Sequence, residues 1–328
     1  MNKKNYINSV EKLHTSKDFK DKTSKLMKDT LNSKRKKNPI AKKLVLSFAS
    51  AAIIISASVV GFDYNNLFTS NKGANNNLAK PGITVAEMEL PTSTEGTSTR
   101  MLPLFVYKGR IYLHYNTTFE LNNEFMVDKE DMLNLRGEYL GKTIGSIDEW
   151  SNQEDYATEF ASTIGESDVY TVKGYDSNYR LMVYSEYPDG FSCEIYDSFG
   201  GLTLRSGADY FDLLQFKDNI VSSQWESYDS WNNGKSELSN AAIDDAFNEF
   251  IDKLYTSTPV DITTDLFTEN TDYDSQKFIY LKTKDNLITA LRLFKDGYVY
   301  APEVGFFKMD ENVFNAFWNT MPATNPLQ

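Results

Sequence analysis

The longest apolar run in the chain is residues 44–62, LVLSFASAAIIISASVVGF, nineteen residues without a charge. At 1.5 Å rise per residue it would span about 28 Å as a helix, close to a hydrocarbon core of about 30 Å. It is apolar or small on every face, whereas a core helix is amphipathic. The 43 residues before it exceed the usual n-region of an export signal. The pattern predicts one transmembrane helix.

Before that run, residues 1–33 carry helix-spaced apolar positions and neither Gly nor Pro. Tyr6, Ile7, Val10 and Leu13 recur at helical spacing, and Thr15 or Ser16 can cap a second helix. On the second, Phe19, Leu26, Met27 and Leu31 share one stripe at about 100° per residue. So short a segment cannot bury such a stripe alone. Two readings fit: a surface that docks a cytoplasmic partner, helix in groove, or an amphipathic helix lying on the membrane.

After the run, residues 63–100 are rich in Asn, Thr, Ser and Gly and read as a flexible linker, with a short strand possible from Ile83 to Leu90. From Met101 the pattern turns to strands. LFVYKGRIYLHY predicts two strands joined at Lys108-Gly109. VYTVKGYDSNYRLMVYSEYPDGFSCEIY predicts a meander with turns at Asp176–Asn178 and at Pro188-Asp189-Gly190. In it Leu181, Val183, Ser185 and Tyr187 alternate with Arg180, Met182, Tyr184 and Glu186, as on a half-exposed strand. Ile243, Ala246, Phe247, Phe250, Ile251 and Leu254 give the strongest helical period, with Ser239 or Asn240 as cap. FIYLKTK, LITALRLF and YVYA follow as a three-stranded meander. Asp310 then caps a last helix burying Val313, Phe314, Phe317, Trp318 and Met321. The expected fold is an α+β extracytoplasmic region of antiparallel meanders with few helices, one transmembrane helix and a short helical tail. The expected divisions are a basic tail (1–43), the span (44–62), the linker (63–100), a mainly β subdomain (101–236) and an α+β subdomain (237–328). YKGRIY at 107–112 faintly echoes KDGYVY at 295–300, as any two Gly-turn hairpins would.

Charge gives this plan an orientation. Residues 1–43 hold 14 Lys/Arg against 4 Asp/Glu, and the rest of the chain holds 20 against 42. Lys34, Arg35, Lys36, Lys37, Lys42 and Lys43 directly precede the apolar run, with no acid among them. The positive-inside rule puts the N-terminus in the cytoplasm and the long C-terminal part outside the cell membrane. The run from Lys34 to Lys43 would touch anionic lipid; abutting the bilayer, it is not read as a direct nucleic-acid site.

The arrangement of the opening MNKKNYINSVEKLHTSKDFKDKTSKLMKDTL, a Lys/Arg-rich stretch and a single span resembles membrane proteins of low-GC Gram-positive bacteria. Those proteins in turn are similar to anti-sigma factors of the extracytoplasmic-function type. The resemblance covers residues 1–62 and implies a tail that holds a sigma factor and an outer domain that senses the envelope. The zinc-binding variant of such tails carries a His followed by Cys-x-x-Cys; this tail has His14 and no cysteine.

Candidate chemistry adds little. One cysteine, Cys193, excludes a disulfide framework, and two histidines, His14 and His114, leave little for metal or nucleophile work. Neither a Gly-x-Ser-x-Gly elbow nor a His-Glu-x-x-His motif occurs. His114 and Cys193 read as structural residues within strands. No cofactor and no enzymatic activity are expected. Trp225 and Trp231 bracket WESYDSW and are a possible sugar or peptide site; their even spacing would set both on one strand face, where core packing is the other reading. Two functions follow: a transmembrane regulator that binds a transcription factor, or an anchored surface-display or envelope-binding protein.

Overall fold

The computed structural model describes residues 82–87, 102–121, 128–148, 151, 153–188, 190–261, 266–267 and 274–322. All of them fall in one compact unit. The expected tail stripe of Phe19, Leu26, Met27 and Leu31, the basic run Lys34 to Lys43 and the expected membrane helix 44–62 lie outside the described residues. Among the described residues no helix is long and apolar enough to cross a membrane. What is described is α+β, mostly antiparallel sheet, with five helices among the described residues.

The first sheet takes six strands: β2 (Leu104–Tyr107), β3 (Arg110–Leu113), β5 (Arg136–Lys142), β6 (Asp168–Val172), β7 (Arg180–Tyr187) and β8 (Gly190–Asp197). Their spatial order is β2-β3-β8-β7-β6-β5. The β2–β3 turn is the expected Lys108-Gly109, both at positive φ (51° and 69°), the geometry that suits the twist of a two-residue hairpin. Helix α1 (Lys129–Leu135), capped by Asp128, lays Met132 and Leu135 against the sheet. The expectation of a half-exposed strand at 180–187 is corrected here. Arg180 to Tyr184 are all buried, with Met182 and Tyr184 in one cluster and Leu181 and Val183 in another on the opposite face. A central strand covered on both sides loses its polar alternation.

The second sheet runs in the order β11-β10-β13-β14-β15-β16-β12. Its members are β10 (Ile220–Ser227), β11 (Ser239–Ala241), β12 (Thr258–Val260), β13 (Gln276–Thr283), β14 (Ile288–Phe294), β15 (Tyr298–Ala301) and β16 (Gly305–Lys308). The expected three-stranded meander is thus present and continues into a fourth strand, β16. The expected division at 236/237 falls between β10 and β11, which pair with each other. A two-residue strand from the first half, β4 (Thr117–Thr118), also joins this sheet beside β14. The two Gly-turn hairpins differ in length: two residues separate β2 and β3, and three separate β14 and β15.

Helices α2 (Ala208–Phe211), α4 (Asp245–Thr256) and α5 (Glu311–Trp318) cover one face of the second sheet, and α3 (Tyr228–Asn232) follows β10. On α4, Phe247, Phe250, Ile251 and Leu254 are buried as the period requires. Its cap is Asp244, whose carboxylate accepts from Phe247 N, and not Ser239 or Asn240, which lie in β11; Ile243 precedes the helix and is exposed. On α5, Asp310 caps as expected and Val313, Phe314, Phe317 and Trp318 are buried; Met321, also buried, lies just past the helix end.

Gly207 shows how closely α2 and α4 approach. Its backbone is ordinary α-region, but an added Cβ would run into the Leu254 carbonyl oxygen and lie 2.7 Å from Ser257 Oγ. Gly207→Ala is therefore expected to destabilise the fold by about 3 kcal/mol through overpacking. In a melt followed by circular dichroism that is a Tm drop of roughly 6–12 °C; an unchanged Tm would contradict this packing.

Candidate functional site

A buried charged cluster lies where β7 and β8 meet β4, β14 and α2. Arg180 and Asp197 are cross-strand partners, 3% and 6% exposed. Arg180 donates from Nε and Nη2 to the two Asp197 oxygens, each at 2.7 Å, a bidentate pair. Nη2 also donates to Thr117 Oγ1 at 2.9 Å, and Thr117 lies 3.3 Å from Thr289 Oγ1 on β14. The guanidinium sits 4.8 Å over the Tyr175 ring, and Tyr175 donates its hydroxyl to Asp285 at 2.6 Å. Burial alone would lower the Arg180 pKa, but the Asp197 carboxylate more than offsets it and the net direction is up.

A second carboxylate completes the cluster. Glu303, in the β15–β16 turn, turns its carboxyl inward, where it accepts from Tyr210 of α2 at 2.9 Å and from Asn116 Nδ2 at 3.3 Å. Asn116 Nδ2 also donates to Ala290 O on β14. Burial, with the Asp197 charge adding to it, pushes the Glu303 carboxyl up to about 7, against the pull of Tyr210 and Arg180. Tyr210 is fully buried, and its hydroxyl is pushed well above its ordinary range by burial and by Glu303.

Arg180 and Tyr175 also border a partly open pocket of about 210 Å³ whose walls include Asp176, Tyr179, Asp212 and Gln215. Its carboxylates can accept hydrogen bonds from hydroxyl or amino groups, and its tyrosines offer flat apolar faces. In the order of magnitude of ligand pockets it is small. The buried cluster behind it ties the two sheets together.

Trp225 and Trp231 are not brought together. Trp225 lies on β10, 5% exposed, on the helix-covered face of the second sheet. Trp231 lies on α3, because Ser227 Oγ accepts from Ser230 N and starts a helix where even spacing suggested a strand. It stacks on Phe278 at 4.2 Å. Phe278 alternates with Ile279 of the helix-side core, so the two tryptophans serve opposite faces. The shared strand face is thus corrected. Each ring meets a cation of the chain itself: Lys277 Nζ is 5.5 Å over Trp225, and the Arg292 guanidinium is 5.1 Å over Trp231. Lys277 is buried, lies 4.0 Å over Trp318 and donates to the carbonyls of Trp318 and Met321, so it caps the end of α5. Burial pushes its ammonium down to about 8.

His114 Nδ1 lies 2.8 Å from Ile195 O, its ring against Tyr196. Cys193 is a partly buried free thiol whose pKa burial raises. Among the described residues no group of His, Cys, Asp and Glu is placed to hold a metal ion. Sequence reasoning missed Arg180 as a buried residue and missed Asp197, Tyr210 and Glu303 altogether. One signal was present: the sequence marks a turn just after Tyr187, and the pairing of Tyr187 with Gly190 carries a register that sets Arg180 opposite Asp197.

Comparison of the chain with family models, with curated proteins and with solved structures finds no match.

Proposed function

We propose that the chain is a single-pass membrane regulator whose tail holds a transcription factor in the manner of an anti-sigma factor and whose outer domain senses the envelope. The observation that carries this reading is the uncharged segment 44–62 behind six Lys/Arg. In this reading the folded α+β unit is extracytoplasmic and works by binding, not catalysis. The pocket beside Arg180 supplies a place where a small polar ligand would act on it.

Two experiments test the reading. Protease added to intact protoplasts should remove the chain beyond about residue 63 and spare the tail; a protected C-terminal domain would refute the topology. A tail peptide of residues 1–33 should retain a purified extracytoplasmic-function sigma factor without lipid present. Burying one large apolar side chain is worth about 1.5–3 kcal/mol, so Phe19→Asp with Leu26→Asp should weaken that complex well over tenfold. A peptide that binds anionic vesicles but no sigma factor would favour an anchored display or envelope-binding protein instead.

A further inference from the structure

Residues 82–87 run as an extended strip against the domain. Its strand β1 (Ile83–Thr84) pairs antiparallel with β9 (Thr203–Leu204), and these two residues a side make a sheet of their own. Val85 N donates to Leu202 O at 2.8 Å, and Gly201 N donates to Val85 O at 2.9 Å. The Thr84 and Thr203 hydroxyls lie 3.0 Å apart. Val85, 5% exposed, is the one strip side chain in the core, beside Phe199, Leu204 and Tyr210. The fit is close at both ends. A Cβ on Gly82 would lie 2.7 Å from Thr203 Cγ2 and 2.8 Å from Leu204 O, and one on Gly200 would lie 3.1 Å from Glu87 Cα. The 198–200 loop beneath is held by Arg110, which donates to Ser198 O and Gly200 O and lies over Tyr179, a wall of the pocket.

We propose that residues 82–87 are a releasable strap that sets how far the folded domain reaches from its anchor. Among the described residues the strap joins the rest of the domain through a two-residue strand pairing, two further backbone bonds and one buried side chain, so it opens without unfolding either large sheet. With it closed, Gly82 is fixed twenty positions beyond Phe62; with it open, the next described residue is Leu102, forty positions beyond Phe62. At about 3.3–3.6 Å per extended residue, the ceiling that chain length alone sets on the reach doubles, from about 70 Å to about 140 Å. A ligand against Tyr179 would bias the strap through Arg110 and the loop it holds. Only the meaning of the reach rests on the proposed anchor; the opening is a property of the folded unit and is measured independently of topology.

Hydrogen exchange of the full chain in detergent, read by mass spectrometry, tests this. In the wild type, peptides covering 82–87 and 199–204 should be protected yet exchange together at least tenfold faster than peptides from β13 and β14. Gly82→Val should speed the first pair a further tenfold or more and leave β13 and β14 unchanged. A staple of Thr84→Cys with Thr203→Cys in a Cys193→Ser background should slow the pair toward the core rate, because paired antiparallel Cα atoms lie within disulfide reach. Reduction should restore the wild-type rate. The strap is overturned if wild-type 82–87 is unprotected, or if it exchanges at the rate of β13 and β14, and the wild-type measurement decides this even if Gly82→Val fails to fold.

Discussion

Asp197→Ala should lower the free energy of unfolding by about 3–5 kcal/mol, because it leaves the Arg180 guanidinium buried without its counter-charge. The loss does not measure what the pair contributes. Both charges were desolvated to form it, and replacing both by apolar groups of similar volume removes that cost as well. The double variant Arg180→Met with Asp197→Leu should therefore recover more than half of the loss, a strong non-additivity for residues in direct contact. Denaturant titrations followed by tryptophan fluorescence give all the values needed. A loss below about 1 kcal/mol for Asp197→Ala would mean that water reaches the pair from the neighbouring pocket.

The second large effect is a pH dependence. Glu303 binds its proton more tightly in the fold, at about 7, than in the unfolded chain, where an ordinary carboxyl titrates near 4.5. Between these values the folded state holds a proton that the unfolded state lacks, so stability falls as pH rises. The contribution is fully present below about 4.5, declines up to about 7 and is level above that. At 1.36 kcal/mol per pKa unit the whole fall is about 3 kcal/mol, less where solvent reaches the partly covered residue. Tyr210, Asn116, Asp197 and Arg180 surround this carboxyl. Tyr210 stays un-ionised throughout, so it does not mask the change. Glu303→Gln should accordingly unfold like the wild type at pH 4 and be about 2–3 kcal/mol more stable at pH 8. Equal stability of the two proteins at pH 8 would show that the carboxylate is solvated there.

What was readable in the sequence was local. Lys108-Gly109 specifies a tight turn by its own backbone preference, and the spacing from Phe247 to Leu254 specifies a helix by its own period. Asp310 and the apolar positions after it specify α5 in the same way. The readings that failed depended on distant partners or a competing local bond. Arg180 looked like the polar side of an alternating strand, since nothing nearby shows that both faces of β7 become covered. Trp231 looked like a strand residue by parity, but the Ser227 cap outweighed it. Ile83 and Thr84 were legible as extended, while their partner on β9 stands 119 residues away. The cluster gathers Asn116, Thr117, Arg180, Asp197, Tyr210 and Glu303 from five places with no common period, so no one window of sequence could reveal it whole.

The two residues of β4 set the order in which the protein can be finished. Thr117 and Thr118 leave the ribosome ahead of most of the first sheet, yet their partners Thr289 and Ile288 are made some 170 residues later. At about 5–20 residues per second that is a wait of about 10–30 s. In its second half Arg180 and Asp197 can already pair across their hairpin while the surface meant to cover them does not yet exist. The nascent chain thus presents a half-sealed sheet with a dangling strand, a ready substrate for a holding chaperone, until nearly the last forty residues arrive.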